Sequence, residues 1–391
     1  MPLVNMKDML QHAYNQGYAI GAFDLVSLDF LQGIMDAAER CQAPVILSLA
    51  ESHFDYFDVD LILPAVEAAA KRASVPVSIH LDHGETLQSA IHAINRGCNG
   101  VMVDASQASL EENIRLTGQV VQMAHGCGVP VEGELGYVPG VEGEDAERHP
   151  GDIRYTTTAD AKTYVAETGV DFLAVSIGTV HGRMQGKPKL DLQRLQQIND
   201  ALHIPLVIHG GTGLTDEQFK ALVANGVAKI NYYTALADAA GACVTKNAAS
   251  NDKGYTSLVK GMREAISKEV ERCMQLWGSA GQAAAVLAQS EPWLPVEHLI
   301  IYNVSGIDVT ETRAMMAQGK RVLSAIPGVR EVITGEAVKQ DAGYRYAWVM
   351  HFCHAAVIDS FREHPDHVSF ADTLFRPVAD ARISIDYQSV G

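Results

Sequence analysis

Basic charge is scarce in this chain: 30 Lys and Arg stand against 47 Asp and Glu, a formal charge of -17 over 391 residues. Affinity for a phosphate backbone comes from clustered cations, so a nucleic-acid partner is excluded and any phosphate has to be held locally. Cysteine is sparse too. Cys41, Cys98, Cys127, Cys243, Cys273 and Cys353 form no Cys-x-x-Cys pair and no dense framework, which fits reduced thiols and sets aside a disulfide scaffold. No apolar run is long enough to span a bilayer, and the opening MPLVNMKDMLQ lacks a basic stretch followed by an apolar one. The expectation is a cytoplasmic protein with no membrane partner. A dinucleotide fingerprint is also missing, since the first strand-like segment leads into GAFDLVSLDF rather than Gly-x-Gly-x-x-Gly.

What is present is an ordinary globular composition, 47% hydrophobic and 20% charged, in a chain long enough for more than one core. Eight short apolar segments recur at 18–24, 44–50, 75–83, 100–106, 129–136, 171–178, 204–211 and 227–234. Stretches of helical length and pattern, such as DFLQGIMDAAERCQ and LQSAIHAINRG, separate them. Alternation of this kind predicts a parallel sheet, and eight units predict an α/β protein closed as a (β/α)8 TIM barrel. Helical sequence then runs to about 285, and SEPWLPVEH interrupts it with two prolines. The order strand, helix, strand, strand, helix, strand follows, which predicts a small α+β ferredoxin-like domain. The expected division is a barrel over 1–285, a linker over 286–295 and a second domain over 296–391.

In a barrel of this type chemistry sits at the C-terminal ends of the strands. There the third strand ends in Asp82-His83-Gly84, the fourth in Asp104 and the fifth in Glu132-Gly133-Glu134; the sixth leads to His181-Gly182 and the seventh to His209-Gly210-Gly211. His83, His181 and His209, delivered from separate strands to one mouth, are candidate ligands of an open metal site. His80 lies earlier on its strand and reads as a core or supporting histidine, while His12, His53, His92, His125, His149 and His203 read as surface or structural. The segment HGGTGL, with Asn231 and Thr234 beside it, offers small residues and backbone N–H groups to a phosphate. Lys229 is the residue a Schiff-base mechanism would need, but it falls early in the last strand, away from the expected mouth.

These blocks (GAFD, LDHG, VMVDAS followed by EENI, VEGELG, TVHG, HGGTGL, KIN and GSAGQA) resemble the class II fructose-bisphosphate and tagatose-bisphosphate aldolases over about 1–285. The resemblance implies a metal-dependent aldolase that reversibly cleaves a phosphorylated ketose to dihydroxyacetone phosphate and an aldehyde through a zinc-stabilised enediolate. It implies that His83, His181 and His209 bind the catalytic Zn2+ and that Asp82 is the acid/base at the hydroxyl beside the breaking bond. Asp104 and Glu134 would lie near the metal or hold a second divalent or monovalent cation, with Glu132 behind them. Gly182, Gly210, Gly211, Thr212, Asn231 and Thr234 would receive the ketone-phosphate half. In the loop Pro139-Gly140-Val141-Glu142-Gly143-Glu144-Asp145, Glu142 aligns with the family's second proton carrier, and Glu144-Asp145 is the alternative. Asp24 replaces a usual Asn, Ala50 a usual Ser, and Arg263 matches an arginine that reaches the far phosphate. The C-terminal part, with HLIIYNV, WVMHF and HPDHVSF, resembles the stress-responsive α/β barrel (Dabb) domain, whose members pair as dimers, so a homo-oligomer, dimer or higher, is expected. Two other readings share these residues: a metal-dependent hydrolase, and a catalytically silent sugar-phosphate-binding protein.

Overall fold

The computed structural model describes residues 2–140, 154–183, 189–250 and 254–388. The chain forms two compact units, one of Met1–Leu87, Asn99–Val121 and Pro130–Pro292, the other of Gln88–Cys98, Gln122–Val129 and Trp293–Gly391.

Strands β1 (Ile20–Asp24), β2 (Val45–Ala50), β3 (Val77–Gly84), β4 (Gly100–Val103), β5 (Val131–Leu135), β6 (Phe172–Val175), β7 (Leu206–Ile208) and β8 (Val227–Tyr232) close in sequence order into a parallel barrel. Every expected strand is there, shorter than the apolar run that signalled it. Around them lie α2 (Leu28–Cys41), α3 (Val59–Arg72), α4 (Leu87–Arg96), α5 (Leu110–His125), α6 (Thr158–Thr168), α7 (Leu192–Leu202), α8 (Asp216–Ala224), α9 (Thr234–Ala248), α10 (Tyr255–Leu258), α11 (Met262–Leu276) and α12 (Ala283–Gln289), preceded by α1 (Met6–Gln16). The alanine-rich AAAVLAQ of α12 stays helical into the stretch read as a linker.

Helix α1 closes one end of the barrel. Its Met6, Met9, Leu10 and Ala13 are buried together with Ile20, Phe172, Val207 and Ala228, residues at or near the starts of their strands. Asn5 caps the helix by accepting from the Lys7 amide at 2.9 Å. Gly17, left-handed at φ 69°, ends it. The other end, where the strands finish, carries the polar residues.

A bulge in β3 shapes that end. Along β2 the register is regular, with Ala50 opposite Asp82, but on the β4 side Leu81 pairs with Val101 and Gly84 with Val103, so three steps on β3 meet two on β4. His83 takes up the difference in a left-handed conformation, φ 46°. Side chains of neighbouring strand residues normally point to opposite faces, and this bulge lets adjacent Asp82 and His83 serve one site.

The second unit carries β9 (Val296–Val304), α13 (Val309–Leu323), β10 (Val329–Glu336), β11 (Tyr346–Phe352), α14 (Val357–Glu363), α15 (Pro365–Phe370) and β12 (Ala379–Tyr387). Its antiparallel sheet has the order β10-β11-β9-β12, the ferredoxin-like arrangement expected. Residues paired across antiparallel strands share a face. One face buries Tyr302, Tyr346, Trp348, Met350 and Phe352, with Phe370 of α15 edge-on to Trp348 at 5.8 Å. The other aligns Ile333, Val349, Leu299 and Ile385 across all four strands. Ile333, Ile383, Ile385 and Tyr387 on it are 40–51% exposed.

Candidate metal centre and active site

His83 ends β3, His181 follows β6 and His209 follows β7, and their rings converge with centroids 5.0 Å (His83–His181), 4.6 Å (His83–His209) and 5.8 Å (His181–His209) apart. Each ring is anchored through one nitrogen. His83 Nδ1 lies 2.9 Å from Asp104 Oδ2, His181 Nδ1 3.1 Å from the Val138 carbonyl oxygen, and His209 Nε2 2.9 Å from Glu132 Oε1. The second nitrogen of each is left for the shared centre, and His83 Nε2 and His209 Nδ1 face each other there at 2.9 Å. An oxygen acceptor on one nitrogen fixes the tautomer and aims the other lone pair, the arrangement usual for histidine ligands.

The charges favour a cation at that centre. Burial alone would raise the Asp82 carboxyl, but His83, His209 and Lys229 outweigh it and hold the group well below the usual carboxylate range. Burial also opposes a charged His83, yet Asp82, Asp104 and Glu134 drive it well above 6.5. His181, buried and facing the other two rings, is pushed down to about 3. The carboxylates thus draw positive charge to a point where three imidazoles cannot all be protonated. Three neutral ring nitrogens and a divalent ion meet both conditions, so this donor set fits a metal.

Asp82, at the end of β3, is 2% exposed. Its Oδ2 accepts from Asn231 Nδ2 at 2.9 Å, whereas buried Oδ1 has no hydrogen-bond partner among the described residues. Asp104 and Glu134 form a second group with His83. Burial favours the neutral form of both, but the His83 hydrogen bond holds Asp104 low, while Asp104 adds to burial in raising Glu134 well above 4.5.

Beside the metal centre, Gly210 has φ 72°, and a Cβ there would collide with the Val180 carbonyl oxygen, so the turn after His209 demands glycine. Gly211 and Thr212 follow, and Thr212 Oγ1 accepts from the Ala235 amide at 3.3 Å, in the first turn of α9. Thr234 opens that helix and Asn231 lies in β8. Gly182 follows His181 directly. Asp24 ends β1, buried and in register with Ser48. Arg263 is not brought to this group. From the first turn of α11 it donates to Asp36 at 2.6 Å and to Gln32 at 3.0 Å, both on α2. Glu142, Glu144 and Asp145 lie outside the described residues.

Two further residues lie against this group. Lys229, early in β8 and away from the mouth, is fully buried with Nζ 2.7 Å from Glu132 Oε2 and from Asn231 Oδ1. Its long stem reaches up the barrel, and residues two apart on a strand share a side, a signal that alternation alone could have given. His53 is the second. It is buried in the 3-10 turn Glu51–Asp55 after β2, its ring 4.5 Å from that of Tyr233. Burial lowers its pKa, and Asp82 pulls in the opposite direction. The signal for it was its position just past a strand end.

Residues 4–282 match the family described as fructose-bisphosphate aldolase class-II, and residues 296–389 match the stress responsive A/B barrel domain, Dabb. The chain is similar to a fructose-bisphosphate aldolase of Geobacillus stearothermophilus, 38% identical over 291 residues that cover 73% of this chain and all of the relative. A fructose-bisphosphate aldolase of Staphylococcus aureus is 37% identical over 289 residues, 72% of this chain and all of that one. Among solved structures, the YdjI aldolase of Escherichia coli K12 superposes with a TM-score of 0.65 at 34% identity, covering 72% of this chain and 99% of its own.

Proposed function

The chain belongs to the class II fructose-bisphosphate aldolase family, with a C-terminal Dabb domain, and from that membership we propose that it reversibly cleaves a phosphorylated ketose to dihydroxyacetone phosphate and an aldehyde. The observation that carries this reading is the pairing of three anchored, convergent imidazoles with a carboxylate that keeps one oxygen free. His83, His181 and His209 would hold a zinc ion, and the chemistry it supplies when bound is Lewis-acid stabilisation of the negative charge on the enediolate. Asp82 takes the hydroxyl proton on Oδ1 as the carbon–carbon bond breaks; the hydroxyl-bearing carbon leaves as the aldehyde and the bonding pair stays with the ketone fragment. Asn231 keeps the other carboxylate oxygen still. Glu142 then returns a proton to carbon. Gly182, Gly210, Gly211, Thr212 and Thr234 receive the phosphate of the ketone half, with the first turn of α9 close by. Asp104 and Glu134, with His83, are the place for a second cation.

The aldehyde half differs from glyceraldehyde 3-phosphate in this reading. Asp24 brings a carboxylate to the end of β1, and beside a phosphate at 4 Å such a charge costs about 4 kcal/mol at an effective dielectric near 20. Arg263, occupied by Asp36 and Gln32, offers no compensation from its present position. The test offers dihydroxyacetone phosphate with a panel of phosphorylated and unphosphorylated aldehydes, and follows exchange of the ketone's α-proton with solvent. Chelation should abolish both condensation and exchange. No exchange by the metal-loaded protein would overturn the aldolase reading, and fructose 1,6-bisphosphate cleaved faster than every ketose 1-phosphate would overturn the specificity.

A further inference from the structure

A lysine buried at 0% exposure is rare unless it is paired, and Lys229 is paired twice. Strand β8 presents Lys229 and Asn231 on the same side, and the ammonium lies 2.7 Å from Glu132 Oε2 while donating to Asn231 Oδ1 at 2.7 Å. Two arms leave this point. Through the first, the other oxygen of Glu132 faces His209 Nε2 at 2.9 Å. Ionised Glu132 can only accept, so the ring carries its proton on Nε2 and turns the Nδ1 lone pair toward His83 and the metal centre. The ammonium 2.7 Å from its other oxygen keeps Glu132 an acceptor. Through the second arm, the ammonium fixes the sense of the Asn231 amide. A lysine has only donors, so the amide oxygen must face it and the NH2 must face Asp82 Oδ2, at 2.9 Å.

We propose that Lys229 is a positioning residue that sets, from beneath the site, both the metal-directed lone pair of His209 and the orientation of the Asp82 carboxylate. The ammonium is engaged on two sides and is not the amine of a covalent mechanism. Metal retention and proton transfer therefore share one anchor. A filler of the barrel interior would make the same two bonds, but its removal would cost stability and leave the folded molecules with normal chemistry. This inference rests on the aldolase reading, and wild-type turnover, measured first, tests that reading by itself.

The experiment compares the full-length wild type, Lys229→Met, and the double variant Lys229→Met with Glu132→Gln, which leaves no buried carboxylate without its cation. Folding is checked by circular dichroism, the dissociation constant for zinc by chelator competition, and kcat and KM at saturating zinc. The single variant is expected to bind zinc ten- to a hundredfold more weakly, the usual effect of losing a group that orients a ligand. In the double variant the amide introduced at position 132 can still accept from His209 through its carbonyl oxygen, so zinc binding should recover by at least half of that loss on a logarithmic scale. Its kcat at saturating zinc should stay at least tenfold below wild type with KM within about threefold, because no ammonium fixes the sense of the Asn231 amide. A folded double variant with wild-type kcat would overturn the proposal, as would a single variant that binds zinc as tightly as wild type.

Discussion

At the residue scale, the proposed reaction gives the two oxygens of Asp82 separate tasks. One is tied to Asn231, and the other, with no hydrogen-bond partner among the described residues, would exchange the proton. Asp82→Asn keeps the shape but removes the base, and kcat should fall by roughly two to four orders of magnitude with bound metal unchanged, as measured by turnover and elemental analysis. His80 gives a pH prediction. Burial, then Lys229, lowers it to about 3, against Glu132 and Asp82. A folded-state value below the unfolded 6.5 means that the neutral ring contributes stability fully above pH 6.5, and that this is lost as pH falls from 6.5 toward 3. His80→Gln should flatten the decline in Tm between pH 7 and pH 4.5, and parallel declines in variant and wild type would refute this. Strand-end position pointed to Asp82 and the histidines in the sequence. It said less about the contacts of Lys229 and His53, because position along a strand says where a Cα lies and not how far four methylenes reach or which way a short turn folds back.

At the scale of elements, the eight strands were legible because β-branched runs alternate with amphipathic stretches, and their ends were overextended because a strand and the apolar residues just beyond it share one composition. The β3 bulge was not legible. LDHG reads as plain alternation, and only the pairing of Leu81 and Gly84 with Val101 and Val103 shows the added residue. Nor did the sequence single out α1, an amphipathic segment before the first strand whose use depends on what it meets. Leu10, fully buried in that helix, should cost about 2–5 kcal/mol as Leu10→Ala, with kcat per folded molecule intact because the helix closes the end away from the chemistry. Denaturant unfolding and titrated active sites measure the two quantities separately.

At the scale of the whole molecule, the Dabb sheet leaves Ile333, Ile383, Ile385 and Tyr387 between 40 and 51% exposed on a face that all four strands build. An apolar face of that extent is unusual on a monomer and fits a second copy of the same sheet. Ile385→Lys, or truncation at Pro292, should lower the number of chains per particle measured by light scattering; an unchanged number in both would remove the sheet from assembly.

The packing of Met6, Met9 and Leu10 beneath the strands makes the barrel a cup with a floor rather than a tube. If the proposed chemistry holds, what enters has to leave by the same door, and traffic would acquire an order, with the ion going in first and the sugar phosphate sitting above it. A tightly held inhibitor at the rim should act as a lid, slowing the escape of zinc to a chelator in proportion to its own residence time. An ion lost equally fast with and without that inhibitor would show that the cup has a second way out.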